Sequence, residues 1–280
     1  MERPKTAQDI RGLKGVRRQT WITAYDYVQA QLAELAEIDV ILVGDSLGMT
    51  TLGYPTTLPV TVRDMMHHAR IVRRGAPNTP MIVDMPFLSY TDPNQALRNA
   101  GRFIQGCGAE GVKLEGGRRI LPQVEALVAE GIPVVGHLGL TPQSVHRFGG
   151  YRVQARAAEA IRELVEDAES LAEAGVIAIV LEGIPDRVAE YVTRRVPVPT
   201  IGIGAGNQTD GQVLVFHDCV GLSARLPKFA KPFADVRTVM VTGLAQYREA
   251  VLTQSFPDEA HAYHLADEEW ERFLQMMQRP

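Results

Sequence analysis

The sequence predicts an α/β fold, in which one domain forms a parallel (β/α)8 barrel (a TIM barrel) and is followed by a C-terminal helical extension. Two observations support this prediction. Short apolar runs alternate with longer amphipathic segments along the chain, and its 280 residues exceed the roughly 250 that such a barrel typically needs. An open doubly wound sheet remains the alternative architecture, since it produces the same alternation.

Eight apolar runs are predicted to be strands. Most are rich in Val and Ile and lack a polar alternation, which is typical of strands buried on both faces of a parallel sheet. In chain order they are 20–24, 40–43, 80–84, 111–115, 133–137, 176–181, 199–203 and 219–222. Each is followed by a helical pattern or a long loop, and this order favours the closed barrel.

The segments between the strands carry helical patterns. Residues 26–37 place Val28, Leu32 and Leu35 on one stripe, as expected for an amphipathic helix. Residues 155–174 are rich in Ala and precede a glycine, which is a common helix terminator. These patterns predict two of the helices that cover the barrel.

The end of the chain differs from the rest. We assign residues 1–255 to the catalytic barrel and 256–280 to a C-terminal tail, in which 267–277 has a helical pattern. Apolar side chains recur there with i, i+3, i+4, i+7 spacing, at Trp270, Phe273, Leu274 and Met277. The pattern indicates a helix that packs on the barrel or on a neighbouring subunit. A lid or a partner motif is the alternative.

Composition and charge exclude several classes of protein. With 45% hydrophobic and 22% charged residues and a net charge of −4, the chain is typical of a globular protein and has no basic excess for nucleic acid. No apolar run reaches the ~18 residues of a membrane helix, and the N-terminus lacks a signal-peptide pattern. Two cysteines do not make a disulfide framework, so a reducing cytoplasm is expected.

Charged or polar side chains end five successive predicted strands, at Asp45, Asp84, Glu115, His137 and Glu182. In a parallel barrel the carboxyl ends of all strands share one face, where active sites lie. Such groups are costly to bury unless they are paired or bind a metal. A satisfied core polar group explains any one of them equally well, but the set of five predicts a functional site.

The carboxylates of Asp45, Asp84 and Glu115 have no cysteine or histidine-rich cluster beside them. Oxygen ligands of this kind suit a hard cation, Mg²⁺ in the first place, although a helix cap or a turn would explain the aspartates singly. Lys113 lies two residues before Glu115 and shares its side of the strand. It is a candidate for binding a substrate carboxylate, and an internal salt bridge to Asp84 or Glu115 is the alternative.

Glu182 closes an apolar strand and is the candidate general base, with a structural hydrogen bond as the alternative. His137 is placed to orient a ligand or a neighbouring carboxylate. The glycine-rich segment 202–206 follows the seventh predicted strand, where barrels often bind phosphate. Its glycines would equally allow another group to approach the backbone closely.

At these positions the chain resembles the ketopantoate hydroxymethyltransferase family. The matching motifs lie in the family's order between about residue 20 and residue 255, and the strings HLGLTPQ and GIGAGNQTDGQ are the most distinctive. The motifs are GDSLGMT (44–50), TLPVTV (57–62), VDMPF (83–87), VKLEGG (112–117), GHLGLTPQSV (136–145), FGGYRVQ (148–154), VLEGIP (180–185), IGIGAGNQTDGQVLVFHD (201–218) and PKFAK (227–231). The resemblance implies a (β/α)8 barrel assembled as a homodecamer.

The resemblance also implies roles for single residues. Asp45 and Asp84 match magnesium ligands of the family, and Glu115 matches a carboxylate that belongs to the metal site in part through water. Ser46, together with Asp45, Asp84 and Lys113, matches the positions that bind the oxo-acid substrate. These assignments agree with the chemistry inferred from the residue types.

Glu182 matches the family's catalytic base, and His137 matches a residue of the pocket. The implied reaction transfers a hydroxymethyl group from 5,10-methylenetetrahydrofolate, a cosubstrate, to 3-methyl-2-oxobutanoate. It passes through a magnesium-stabilised enolate and gives 2-dehydropantoate, a step of pantothenate and coenzyme A biosynthesis in the cytoplasm. The expected partners are these small molecules and further copies of the chain, with no nucleic acid or membrane.

Few positions depart from the family pattern: Gly183 stands where Cys is common, and residues 222–226 replace a glycine-richer stretch. Two other functions remain open. A magnesium-dependent oxo-acid lyase of the phosphoenolpyruvate mutase/isocitrate lyase type would use a similar barrel, but the loop after Glu115 lacks the Cys-bearing motif often found in that group. The second alternative is a non-catalytic barrel that binds metabolites.

Overall fold

The computed structural model describes residues 6–278; residues 1–5 and 279–280, the outer ends of the two predicted ranges, lie outside it. Eight parallel strands form a closed barrel in chain order, which confirms the predicted fold. The strands are β1 (Gln19–Thr23), β2 (Val40–Val43), β3 (Met81–Asp84), β4 (Gly111–Glu115), β5 (Val134–Gly139), β6 (Ala178–Glu182), β7 (Thr200–Ile203) and β8 (Gly211–Leu214). Trp21 of β1 pairs with Val40 and Val213, so β1 joins β8 and closes the barrel.

The longer helices are mostly amphipathic, and several begin at side-chain caps. They are α1 (Ala7–Gly12), α2 (Tyr27–Leu35), α3 (Leu47–Thr50), α4 (Val62–Gly75), α5 (Pro93–Cys107), α6 (Leu121–Ala129), α7 (Val145–Phe148), α8 (Ala158–Glu173), α9 (Asp186–Arg195), α10 (Phe216–Cys219), α11 (Val236–Leu252) and α12 (Asp267–Met277). Asp26 and Asp92 accept hydrogen bonds from the first turns of α2 and α5. These bonds satisfy amide groups that have no partner within the helix.

Apolar side chains form two layers, one on each face of the strands. One fills the barrel interior with side chains such as Trp21, Leu42 and Val135, and the other lies between the strands and the surrounding helices, with Ile41, Val83 and Leu114. Every residue of β2, β3 and β4 is buried. The continuous apolar runs of the sequence therefore reflect burial on both faces, as predicted.

The prediction of the eighth strand was wrong. Residues 219–222 end helix α10 and enter the following turn, whereas β8 is Gly211–Leu214. The true strand begins with glycine and exposes Gln212, so its four residues do not form an apolar run. The apolar residues of 219–222 instead lie where a short helix ends, and periodicity alone does not distinguish these cases over four residues.

Helix α2 forms as predicted, but its apolar stripe is exposed. Val28, Leu32 and Leu35 are 60%, 50% and 80% exposed, whereas Ala30 and Ala33 are buried. The reason is close packing against α4: a Cβ at Gly75 would lie 2.4 Å from the Tyr27 carbonyl oxygen and 2.8 Å from the Ala30 Cβ. Only small side chains fit between two helices at this separation.

The chain divides into two compact units, Met1–Phe233 and Ala234–Pro280. The first contains the barrel. The second contains α11, a 3₁₀ turn at Glu259–His261 and α12, and α12 spans the range in which the residue spacing indicates a helix. Within residues 6–278, no helix combines the length and the apolar character needed to cross a membrane.

Candidate active site

The predicted polar residues meet at the carboxyl ends of the strands. Asp84, Glu115 and Glu182 are the last residues of β3, β4 and β6, and His137 lies in β5. Asp45 follows β2 by two residues. The barrel register places Asp84 opposite Lys113 and Glu115 opposite His137, so neighbouring strands contribute successive polar groups to one cluster.

Asp45 and Asp84 form the carboxylate pair of the site. The Asp45 amide donates a hydrogen bond of 3.1 Å to Asp84 Oδ2, and both residues are buried. Burial raises the pKa of Asp45 well above its ordinary value, and the charges of Asp84 and Glu115 add to the shift. Burial also raises the pKa of Asp84. Both carboxylates therefore lie where an additional positive charge would be favourable.

Lys113 is a buried cation within this cluster. Its Nζ lies 3.1 Å from Asp84 Oδ1 and 3.1 Å from His137 Nδ1. Burial acts to lower the pKa of Lys113, but Asp84, Glu115 and Asp45 outweigh it and raise the pKa above the ordinary value. Lys113 is therefore charged, and it makes the ion pair with Asp84 that the sequence left open.

His137 connects two carboxylates. Its Nδ1 lies 3.5 Å from Glu115 Oε1, and its Nε2 lies 3.1 Å from Glu182 Oε2. Burial and the charge of Lys113 act to lower the pKa of His137, but Glu115 and Glu182 raise it above the ordinary value. The imidazole therefore lies between the Glu115 and Glu182 carboxylates, and its orienting role stays a prediction.

Glu182 is the most accessible of the five strand-end residues. Its side chain is 15% exposed, against 3% for that of His137. The Glu182 backbone carbonyl accepts a hydrogen bond of 2.8 Å from the Leu140 amide, so the end of β6 is fixed to the segment that follows β5. A carboxylate held at the edge of an enclosed polar cluster is able to receive a proton from a bound ligand.

Ser46 contacts a residue that the sequence analysis missed. The hydroxyl groups of Ser46 and Tyr25 lie 2.8 Å apart, and burial raises the pKa of Tyr25 to about 12. The ring of His217 stacks on Tyr25 at 5.7 Å, while His68 Nδ1 lies 2.6 Å from the Tyr25 carbonyl oxygen. Tyr25 directly follows the first predicted strand, and this position at a strand end was the signal by which the sequence could have identified it.

Gln143 and Tyr90 were also missed. The Gln143 side chain donates a hydrogen bond of 2.9 Å to Asp45 Oδ2 and accepts one of 2.7 Å from the Tyr90 hydroxyl. Its backbone amide donates to Glu115 Oε2. Gln143 belongs to the distinctive motif at 136–145, but amide side chains are common in turns. Its contacts arise only where the carboxyl ends of β2, β3, β4 and β5 meet.

The glycine-rich segment 202–206 packs closely against other parts of the barrel. A Cβ at Gly204, where φ is +64°, would lie 2.9 Å from the Phe229 ring, and one at Gly206 would lie 2.5 Å from the Asp186 Cβ. These contacts explain the glycines by packing. Within residues 6–278, no three His, Cys, Asp or Glu side chains are arranged to hold a metal ion, so a complete protein-only metal cage is absent there.

Sequence comparison identifies relatives over most of the chain. The family model described as ketopantoate hydroxymethyltransferase matches residues 4–259. A protein of a Geobacillus species named 3-methyl-2-oxobutanoate hydroxymethyltransferase is 51% identical over 251 residues, which cover 89% of this chain and 90% of that protein. A Bacillus cereus protein of the same name is 50% identical, with coverages of 89% and 91%.

Solved structures share the fold at low sequence identity. Phosphoenolpyruvate phosphomutase from Streptomyces platensis subsp. rosaceus is 18% identical, with a TM-score of 0.61 and coverages of 98% of this chain and 96% of that one. A phosphonopyruvate hydrolase, solved in complex with oxalate and Mg²⁺, is 14% identical, with a TM-score of 0.63 and coverages of 98% and 99%. These similarities support the architecture of the barrel.

Proposed function

The chain belongs to the ketopantoate hydroxymethyltransferase family, and from this membership we propose that it transfers a hydroxymethyl group from 5,10-methylenetetrahydrofolate to 3-methyl-2-oxobutanoate. The products are 2-dehydropantoate and tetrahydrofolate, and one water molecule is consumed. The observation that carries the proposal is the position of Glu182. Its accessible carboxylate lies 3.1 Å from His137, in the same cluster as the buried Asp45, Asp84 and Lys113.

The composition of the cluster supports a Mg²⁺ site. The three buried carboxylates of Asp45, Asp84 and Glu115 surround the cation of Lys113, so further positive charge is favourable. Mg²⁺ usually keeps several waters and binds through one or two carboxylates together with ligand oxygens. Asp45 and Asp84 would be its direct ligands, and Glu115 would contribute in part through water. When bound, Mg²⁺ would polarise the 2-oxo group of the substrate as a Lewis acid.

The chain's own residues have separate roles in the proposed reaction. Lys113 binds the substrate carboxylate as a point charge, and Ser46, held by the Tyr25 hydroxyl, donates a hydrogen bond to the same substrate. The Glu182 carboxylate removes the proton from C3 of the oxo acid. C3 then forms a bond to the methylene carbon of the folate cosubstrate, and water supplies the oxygen of the new hydroxyl group. Both carbon–nitrogen bonds of that methylene carbon break, and the two folate nitrogens take up the proton from C3 and one proton from the water.

Proton exchange at C3 tests the proposal without folate. In D₂O, the wild-type protein with Mg²⁺ should replace the C3 proton of 3-methyl-2-oxobutanoate by deuterium, which NMR measures directly. Glu182→Gln keeps the size of the side chain and removes the basic oxygen. It should slow exchange by roughly 10²–10⁴-fold, the range expected for a positioned base.

The control is Glu163→Gln, since Glu163 is exposed on α8; this variant should exchange at the wild-type rate. If the Glu182→Gln variant exchanges the C3 proton at the wild-type rate, Glu182 is not the base. A metabolite-binding barrel would show no exchange at all, and an oxo-acid lyase of another specificity would show little, so an inert wild-type protein would overturn the proposed reaction.

The remaining expectations are part of the same proposal. The family membership supports a homodecamer acting on small molecules, with no nucleic acid or membrane partner. Both cysteines, Cys107 and Cys219, are free thiols, which is in keeping with a reducing cytoplasm.

A further inference from the structure

Gln143 makes four hydrogen bonds at the centre of the site. It lies in the 3₁₀ turn Pro142–Ser144 that follows β5, and it is 8% exposed. Its Nε2 donates bonds of 2.9 Å to Asp45 Oδ2 and to the Met85 carbonyl. Its Oε1 accepts a bond of 2.7 Å from the Tyr90 hydroxyl, and its backbone amide donates one of 3.0 Å to Glu115 Oε2.

These contacts permit one orientation of the amide. Both protons of Nε2 are used, because Asp45 and Met85 each present an acceptor. Rotating the amide by 180° would place Oε1 against that carboxylate and that carbonyl, which is unfavourable. Burial raises the pKa of Tyr90, so its hydroxyl keeps the proton that it donates to Oε1. The arrangement is therefore fixed by three independent partners.

The two aspartates are held in chemically different ways. Asp84 contacts the cation of Lys113 through Oδ1, which compensates part of its charge. Asp45 accepts a hydrogen bond from the neutral Gln143 amide on Oδ2, which orients its carboxylate without an ion pair. Outer donors of this kind commonly orient the ligands of a metal and tune its affinity.

We propose that Gln143 is a positioning residue for the ion site: it orients the Asp45 carboxylate through Oδ2, which leaves Oδ1 available to a ligand, and it holds Glu115 through its backbone amide. Tyr90 acts on the Asp45 carboxylate through Gln143, because its hydroxyl determines the orientation of the side-chain amide. This inference rests on the proposed Mg²⁺ site. It adds two residues that neither touch the substrate nor bind the ion directly.

The test is Mg²⁺ affinity, measured by isothermal titration calorimetry on the folded protein. Gln143→Met keeps the length of the side chain and the backbone bond to Glu115 but removes the three side-chain hydrogen bonds. It should weaken Mg²⁺ binding by roughly 10–100-fold. Tyr90→Phe removes only the hydroxyl and should weaken binding in the same direction to a smaller extent. In steady-state kinetics both variants should need more Mg²⁺, while kcat at saturating Mg²⁺ returns towards the wild-type value.

Gln123 provides a matched control. It is also 8% exposed and lies beside Tyr90, but its Nε2 donates to the Tyr90 and Thr91 carbonyl groups and contacts no carboxylate. Gln123→Met should therefore bind Mg²⁺ like the wild type. Circular dichroism verifies the fold of each variant, and Tyr90→Phe keeps the test decisive if Gln143→Met does not fold.

The possible outcomes separate this inference from the proposed function. If the wild type binds Mg²⁺ and both Gln143→Met and Tyr90→Phe bind it equally well, the positioning role is wrong while the ion site stands. If Gln123→Met weakens Mg²⁺ binding to the same extent, the effect comes from general packing, and the positioning role of Gln143 is wrong as well. If the wild type binds no Mg²⁺, the proposed ion site fails first, and the role of Gln143 fails with it.

Discussion

At the scale of single residues, Lys113 is a buried cation that contacts several polar neighbours. Its ammonium group contacts Asp84 and His137, and the surrounding carboxylates keep it charged despite burial. The ion pair does not conflict with substrate binding, since an ammonium group has three donors. A substrate carboxylate would add a third partner and balance part of the positive charge that Mg²⁺ brings.

Replacing Lys113 with Met separates these contributions. The variant keeps the length of the side chain but loses the charge, so it should raise KM for 3-methyl-2-oxobutanoate by roughly 10–100-fold, the value of a charge-assisted hydrogen bond. KM for the folate should change little, and steady-state kinetics with each substrate varied in turn measures both constants. An equal rise in KM for the two substrates would indicate that the ion pair of Lys113 with Asp84 is purely structural.

At the scale of elements, the close approach of β5 and β6 positions the candidate base. Gly139 ends β5 with φ of +90°, and a Cβ there would lie 2.3 Å from the Glu182 carbonyl oxygen and 2.7 Å from Ile184 Cγ2. The Leu140 amide then bonds to the same carbonyl. The glycine is required both for its backbone conformation and for the space it leaves beside Glu182.

Gly139→Ala should therefore reduce the free energy of unfolding by about 1–3 kcal/mol, the usual cost of a strained backbone conformation, and should lower turnover because the end of β6 shifts. Urea denaturation measures the first effect. Gly101→Ala in α5 is the control, because nothing lies within 4 Å of the added Cβ. That variant should gain about 0.5–1 kcal/mol, since alanine favours a helix. A stability loss equal in both variants would contradict this role of Gly139.

At the scale of the whole molecule, the barrel unit exposes the stripe of Val28, Leu32 and Leu35 on α2. Contiguous exposed apolar side chains commonly mark contacts between proteins. The stripe is therefore a candidate subunit contact in the proposed homodecamer. The stripe was visible in the sequence, but its direction relative to the barrel was not.

Light scattering at micromolar concentration should accordingly give a mass near ten times that of the 30.8 kDa chain. Leu32→Lys places a charge on the stripe and should reduce the mass if α2 lies at a subunit contact, while Arg162→Lys on the exposed face of α8 should leave it unchanged. A wild-type mass of a single chain would contradict the predicted assembly.

Seven of the eight strands and the strand-end residues could be predicted from the sequence. Val- and Ile-rich runs appear wherever a strand is buried on both faces, and a charged residue at the end of such a run is conspicuous. The motifs identified the family because they combine these residues in one order. The eighth strand was not predictable in this way, since Gly211–Leu214 is short and exposes Gln212.

The sequence by itself determined which residue types stand at the strand ends, and therefore the oxygen-rich chemistry of the site. Only the tertiary structure decided which groups meet there: Gln143 reaches Asp45 across 98 positions of the chain, and Tyr90 reaches Gln143 across 53. Local patterns report the burial and periodicity of neighbouring residues. They do not report contacts between loops, because closure of the barrel alone brings those loops together.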